Sequence, residues 1–280
     1  MKKIILQQSE NENPEVEIIL ENYPDISPDS VIKKFFLEVS SLTVFTLRFF
    51  KEAFKPPYEI NELVKQFFLV GYKSLPLVGI TGFIIGLVLT IQSRPTLAKF
   101  GAESWLPAMV AVSIIREIGP VVTALIFAGK VGSGIGAELA SMNVTEQIDA
   151  MWVSDTNPFK YLVDTRVMAA TLMLPVLVVF ADTIGLLGSF VGVNLKGHVS
   201  FYLFFSQVFQ SLAFNDLLPA FIKTFFFGFA IGIIGSYKGY HSNKGTEGVG
   251  KAANSAVVFA SLMVFILDMI AVQITSLFQD

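Results

Sequence analysis

Residues 75–92 read LPLVGITGFIIGLVLTIQ, a stretch without a single Asp, Glu, Lys or Arg. Inside a bilayer the backbone finds no water, so a crossing segment must close its hydrogen bonds within itself, as a helix does. About 20 apolar residues suffice to cross the hydrocarbon. The stretch therefore reads as a membrane-crossing helix. Four further segments read the same way, at residues 105–128, 167–193, 217–237 and 252–277. The third is long enough to tilt. The expected fold is all-α: a polytopic helical membrane protein with five transmembrane helices.

Composition agrees. Apolar residues make up 53% of the 280-residue chain and charged residues 15%, where soluble domains run near about 45–50% and 25%. Mean hydropathy is +0.62. A net charge of −3 gives no case for nucleic-acid binding. There is no cysteine, which excludes disulfide and thiolate chemistry. His198 and His241 stand too far apart in sequence for a recognisable metal site.

The ends and connections give the organisation. Residues 1–6 hold two lysines without an apolar core, so no signal peptide is read there. Residues 7–30 are polar and acidic, with Pro14, Pro24 and Pro28, and residues 1–30 are expected to form a disordered cytoplasmic tail. In residues 31–54, apolar side chains recur every three to four positions among scattered lysines and arginines, the pattern of a helix lying in the headgroup region. Pro56 and Pro57 end it, and residues 59–73 lead into the membrane. Residues 31–73 are thus interfacial or elbow helices, and residues 74–280 the transmembrane region. Residues 201–214 are apolar but too short to cross, which points to an interfacial or re-entrant helix.

Fifteen lysines and arginines flank the spans on one side and three, Arg94, Lys99 and Lys196, on the other. Positive charge collects on the cytoplasmic side. The N-terminus is therefore expected inside and, with five spans, Asp280 outside. Gly82 and Gly86, Gly188 and Gly192, and Gly228 and Gly232 have the spacing that lets helices approach closely.

Two segments carry candidate chemistry. Arg116 and Glu117 precede Gly119-Pro120 in the middle of the second span. Pro120 cannot donate to the Arg116 carbonyl, so the helix weakens beside two charges that are costly in lipid. Asp182, Lys223 and Asp268, each within another span, are candidates for one ion-pair network with them. A proton relay through these groups, in a proton-coupled secondary transporter, is the competing reading. Residues 132–151, GSGIGAELASMNVTEQIDAM, combine Glu138, Glu146 and Asp149 with an apolar stripe of Leu139, Met142, Ile148 and Met151. A short amphipathic helix of this kind docks in a groove of a soluble partner. Residues 245–251, GTEGVGK, mimic a phosphate-binding loop, but Ala252 stands where a Ser or Thr hydroxyl would hold magnesium. They are expected to form a flexible connector, and the chain to hold no ATPase of its own.

With these residues in hand, the sequence resembles the MlaE/YrbE permease family, the membrane subunit of MCE-type lipid ABC transporters. The likeness runs from about Val31 to the C-terminus and is densest from Gly79 to Pro158, where REIGPVVTALIFAGKVGSGIGAELASMNVTEQIDAM, residues 116–151, looks like the family signature almost throughout. It implies a homodimer with two copies of a cytoplasmic ABC ATPase, which would carry the ATP and magnesium, so that this chain needs no cofactor. It implies an MCE-domain protein on the periplasmic side, an accompanying STAS-domain protein, and transport of phospholipid between inner and outer membranes that maintains outer-membrane lipid asymmetry. The family's coupling helix falls on residues 137–151, where Glu138, Thr145, Glu146, Gln147 and Asp149 would meet the ATPase. Its lipid pocket falls on Leu89, Leu97, Phe100, Glu117 and Ile118. Asn143 replaces a basic residue common in the coupling helix, and Arg94-Pro95 replaces small or aromatic residues after the first span.

Overall fold

The computed structural model describes residues 31–56, 58–195, 197–243 and 245–277, so the tail at residues 1–30 and the terminal Asp280 lie outside the described residues. The described residues contain helices and no strand. The chain divides into two units, Met1–Phe45 and Thr46–Asp280. The described part of the first is the beginning of the helix Val31–Ala53. All five crossings belong to the second.

Five helical segments are long and apolar enough to cross a membrane: Ile60–Lys99, Glu103–Val144, Phe159–Asn194, Asp216–Tyr240 and Thr246–Leu277. All five expected spans are present, and every one runs longer than its apolar stretch. Polar residues at the ends cost a helix little once they reach the headgroups. The first span proper, Leu75–Lys99, continues through Arg94-Pro95. It is entered from the helix Ile60–Val70 by a single 3₁₀ turn, Tyr72–Ser74. Thr246–Lys251 is the opening of the fifth helix rather than a flexible connector. Its glycines did not prevent helix formation, because the tertiary packing and the apolar run behind them outweigh a propensity cost of about 1 kcal/mol each.

Glycine sets how closely the spans pack. A Cβ on Gly86 would lie 1.8 Å from the Gly185 carbonyl oxygen, and one on Gly188 would lie 2.2 Å from that of Phe83. The first and third spans therefore touch backbone to backbone. The buried Thr90 hydroxyl donates to Ser189 across this seam at 2.8 Å. A Cβ on Gly228 would meet the Ala170 carbonyl oxygen at 2.6 Å, so the third and fourth spans meet in the same way. In lipid, where apolar contact alone favours no particular neighbour, such close approach selects the partner helix.

The connections alternate between two ends. At one, Lys130 donates to the Lys73 carbonyl, Lys160 to that of Lys55, and Asn143 to that of Ser242 at 2.9 Å. At the other, Arg94 donates to the Val193 carbonyl at 3.1 Å and pairs with Glu103. The expected short helix is Phe201–Ser211, capped by the Ser200 hydroxyl, which accepts from the Leu203 amide. Its face of Phe204 and Val208 is fully buried against Leu106, Val110 and Ile114 of the second span. Phe201, Tyr202 and Phe209 point outward. In the elbow helix, Phe49 packs on Phe229 with ring centroids 5.6 Å apart, and the Arg48 guanidinium lies 4.4 Å above the Phe159 ring.

Candidate functional site

The second span breaks α-helical register where Arg116 and Glu117 stand. Ile114–Ile118 forms a π turn, closed by the Gly119 amide donating to the Ile114 carbonyl. The cause is local: Pro120 has no N–H, and the wider turn gives the preceding amide another acceptor. A second π turn, Ala128–Gly132, carries Lys130, and a third, Phe159–Asp164, opens the third span.

Lys223 of the fourth span is the hub of the charges. Its ammonium reaches Glu117 Oε2 at 2.6 Å and Asp268 Oδ1 at 2.8 Å, joining the second, fourth and fifth spans. Its side chain is 6% exposed, against 37% for Glu117 and 19% for Asp268. One ammonium has three donors, so it can serve both carboxylates. Arg116 pairs instead with Asp216, at 3.5 Å. Asp216, which opens the fourth span, is a residue that sequence reasoning missed. It lies just before the apolar run, and nothing in the sequence tied it to Arg116.

Asp182 does not join the hydrogen-bonded network. Its Oδ1 is buried with no hydrogen-bond partner. It lies against Gly119, where an added Cβ would come within 1.8 Å of it. The expected five-residue network is therefore a triad, Lys223 with Glu117 and Asp268, beside a separate pair. Lys223 and Glu117 of the triad and both members of the pair line a narrow crevice with Pro219 and Ala271, with room for about one water molecule.

The residues of the expected lipid pocket have different surroundings. Leu89 and Leu97 pack against the cluster under the short helix. Phe100 follows the first span and is 80% exposed. Glu117 faces Lys223, and Ile118 is half-buried on the same π turn.

The segment read as one helix over residues 137–151 is two elements. Ser133–Val144 continues the second span, with Ile135, Gly136, Leu139 and Ala140 buried. The chain then turns at Thr145 and Glu146, the latter left-handed at φ 57°, into the short helix Gln147–Val153. Gln147 donates to the Thr145 hydroxyl at 2.9 Å across the turn. Of the expected stripe, Leu139 and Ile148 are buried within the chain, while Met142 and Met151 are half-buried. The side chains that face outward include Thr145, Glu146, Gln147, Asp149, Trp152 and Val153, of which Val153 is 90% exposed. Glu138 stands apart from them. Its carboxylate accepts from Arg166 at 2.8 Å, and Arg166, 2% exposed, also donates to the Leu162 carbonyl. No group of three or more His, Asp or Glu side chains placed to hold a metal occurs among the described residues.

Five membrane-crossing helices, three of which build an ion-paired crevice, define a multi-pass α-helical membrane protein. The family model described as Permease MlaE matches residues 63–274, and the chain belongs to that family. It is 40% identical over 210 residues to the intermembrane phospholipid transport system permease protein MlaE of Haemophilus influenzae, covering 74% of this chain and 80% of that one. It is 40% identical over 245 residues to a probable ABC transporter permease protein of Rickettsia prowazekii, covering 88% and 93%. A probable ABC transporter permease protein of Synechocystis is 35% identical over 203 residues, covering 72% and 77%.

Proposed function

We propose that the chain is the membrane-spanning subunit of an ABC transporter that moves phospholipid between the inner and outer membranes and so maintains outer-membrane lipid asymmetry. The observation that carries this reading is the charged crevice, built by three spans beside a π turn in a chain of the permease family. Likeness to a phospholipid transport permease supports the choice of cargo. Two copies pair, so that Leu89, Leu97, Phe100 and Ile118 of each complete an acyl-chain cavity beside Arg116 and Glu117. The polar groups then meet the lipid headgroup or water.

The chain sits in the inner membrane with its lysine-rich end in the cytoplasm. There Glu146, Gln147, Asp149, Trp152 and Val153 form the docking surface for an ABC ATPase, which binds ATP and magnesium and can bring a STAS-domain protein with it. Trp152 and Val153 supply the apolar contact that the buried Leu139 and Ile148 cannot. An MCE-domain protein covers the periplasmic face.

Affinity purification in mild detergent, with mass spectrometry of what comes with the chain, tests the assembly. A nucleotide-binding subunit and phospholipid are the expected companions. Charge reversal at Glu146 and Asp149 should strip the ATPase while the chain still inserts. A folded chain that never carries an ATPase would overturn the reading.

A further inference from the structure

On the outer side of the first and third spans, away from the charged crevice, lies a groove of about 540 Å³. Its walls are Leu75, Pro76, Ile80 and Phe83 of the first span and Phe180 and Ile184 of the third. None of its lining residues is charged, and it lies open along one side. Its volume falls in the range of about 300–1,000 Å³ typical of small-molecule sites.

The groove begins two residues after Lys73. Lys130, exposed on the second span's π turn, donates to the Lys73 carbonyl, which brings both residues near the start of the groove. Neither forms an ion pair among the described residues. An ammonium has three donors, and Lys130 spends one on this carbonyl. Lys73 lies over the Phe68 ring, which stacks on the exposed Tyr72 at 5.0 Å. Aromatic rings and lysines of this kind mark the headgroup level of a bilayer. An apolar trough thus runs along the first and third spans from a point close in the chain to this pair of lysines.

We propose that this groove binds an anionic phospholipid, phosphate on Lys73 and Lys130 and an acyl chain along Ile80, Phe83 and Phe180, at a site separate from the transport crevice. Charge complementarity selects this occupant over a neutral lipid, because two lysines without carboxylates favour an anion. A basic pocket between membrane helices on the cytoplasmic side is a recognised seat for anionic headgroups, and that leaflet is the anionic one. The assignment of leaflet follows the lysine bias, but the binding itself needs only that the chain is embedded in lipid.

The test places a photo-crosslinking residue at Ile80, 62% exposed, and a control at Val258 of the fifth span, 56% exposed. The full chain is reconstituted in phosphatidylcholine vesicles doped with phosphatidylglycerol. Adducts at Ile80 should be enriched in phosphatidylglycerol over its share of the vesicle, while those at Val258 follow the bulk composition. Lys73→Gln and Lys130→Gln should each reduce the enrichment about fivefold, and the arginine variants should keep it. High salt should lower it in the unaltered chain. Adducts at Ile80 in bulk proportion overturn the proposal, as do adducts to a second copy or another polypeptide. Enrichment that survives both glutamine variants overturns the headgroup assignment and with it the site. These readouts hold whether or not the chain transports lipid, so failure of this site and failure of the transport reading are distinguishable.

Discussion

Arg166 and Glu138 show how a single contact changes the meaning of two residues. In the sequence Arg166 is one more cytoplasmic positive charge and Glu138 one more acid on a docking helix. In the structure the arginine is 2% exposed and its partner is that acid, at 2.8 Å. Glu138→Ala would leave a buried guanidinium with the Leu162 carbonyl as its remaining recorded partner. A fully buried pair broken in this way costs about 3–5 kcal/mol; with Glu138 half-exposed, about 2 kcal/mol is expected. Unfolding in mild detergent should show that loss, with ATPase recovery per folded chain unchanged. Full stability with lost ATPase would return Glu138 to the docking surface. The same limit on sequence reading explains Asp216 and Asp182. The sequence shows that intramembrane charges need partners, but the rotation of each helix decides which partners meet. Lys223 was legible as a member of the network; that it serves two carboxylates while Asp182 stays out was not.

At the scale of elements, apolar runs and glycine spacing carried most of the information. The five spans and the short helix at Phe201–Ser211 follow from hydrophobic length alone. The ends do not, because the helices run past the apolar run into polar residues, as at Thr246–Lys251. The break at Thr145 and Glu146 was also hidden, since a left-handed glutamate carries no sequence mark as a glycine would. Spaced glycines marked the seams correctly, and the seams can be tested. Gly86→Ala places a methyl 1.8 Å from a backbone oxygen of the third span, which cannot swing aside. Separating two packed spans should cost about 1–3 kcal/mol, as overpacking does. Gly129→Ala, which meets open space, is the control. Equal thermal stability of the two variants in detergent would contradict backbone contact at the first seam.

For the whole molecule, the claim is a five-span chain with its lysine-rich end in the cytoplasm. An odd number of crossings puts the two termini on opposite sides. Reporters fused after Asp280 and within residues 243–250 should therefore report opposite sides of the membrane; reporters on the same side would contradict the five-span topology. The central claim, phospholipid movement driven by a separate ATPase, has a more direct test. The purified complex is reconstituted into proteoliposomes and the redistribution of a labelled phospholipid is followed. Movement should require ATP, be indifferent to an imposed proton gradient, and fall at least tenfold when Lys223→Met leaves Glu117 and Asp268 without their shared ammonium. Phospholipid movement that needs no ATP and follows the proton gradient would contradict the claim.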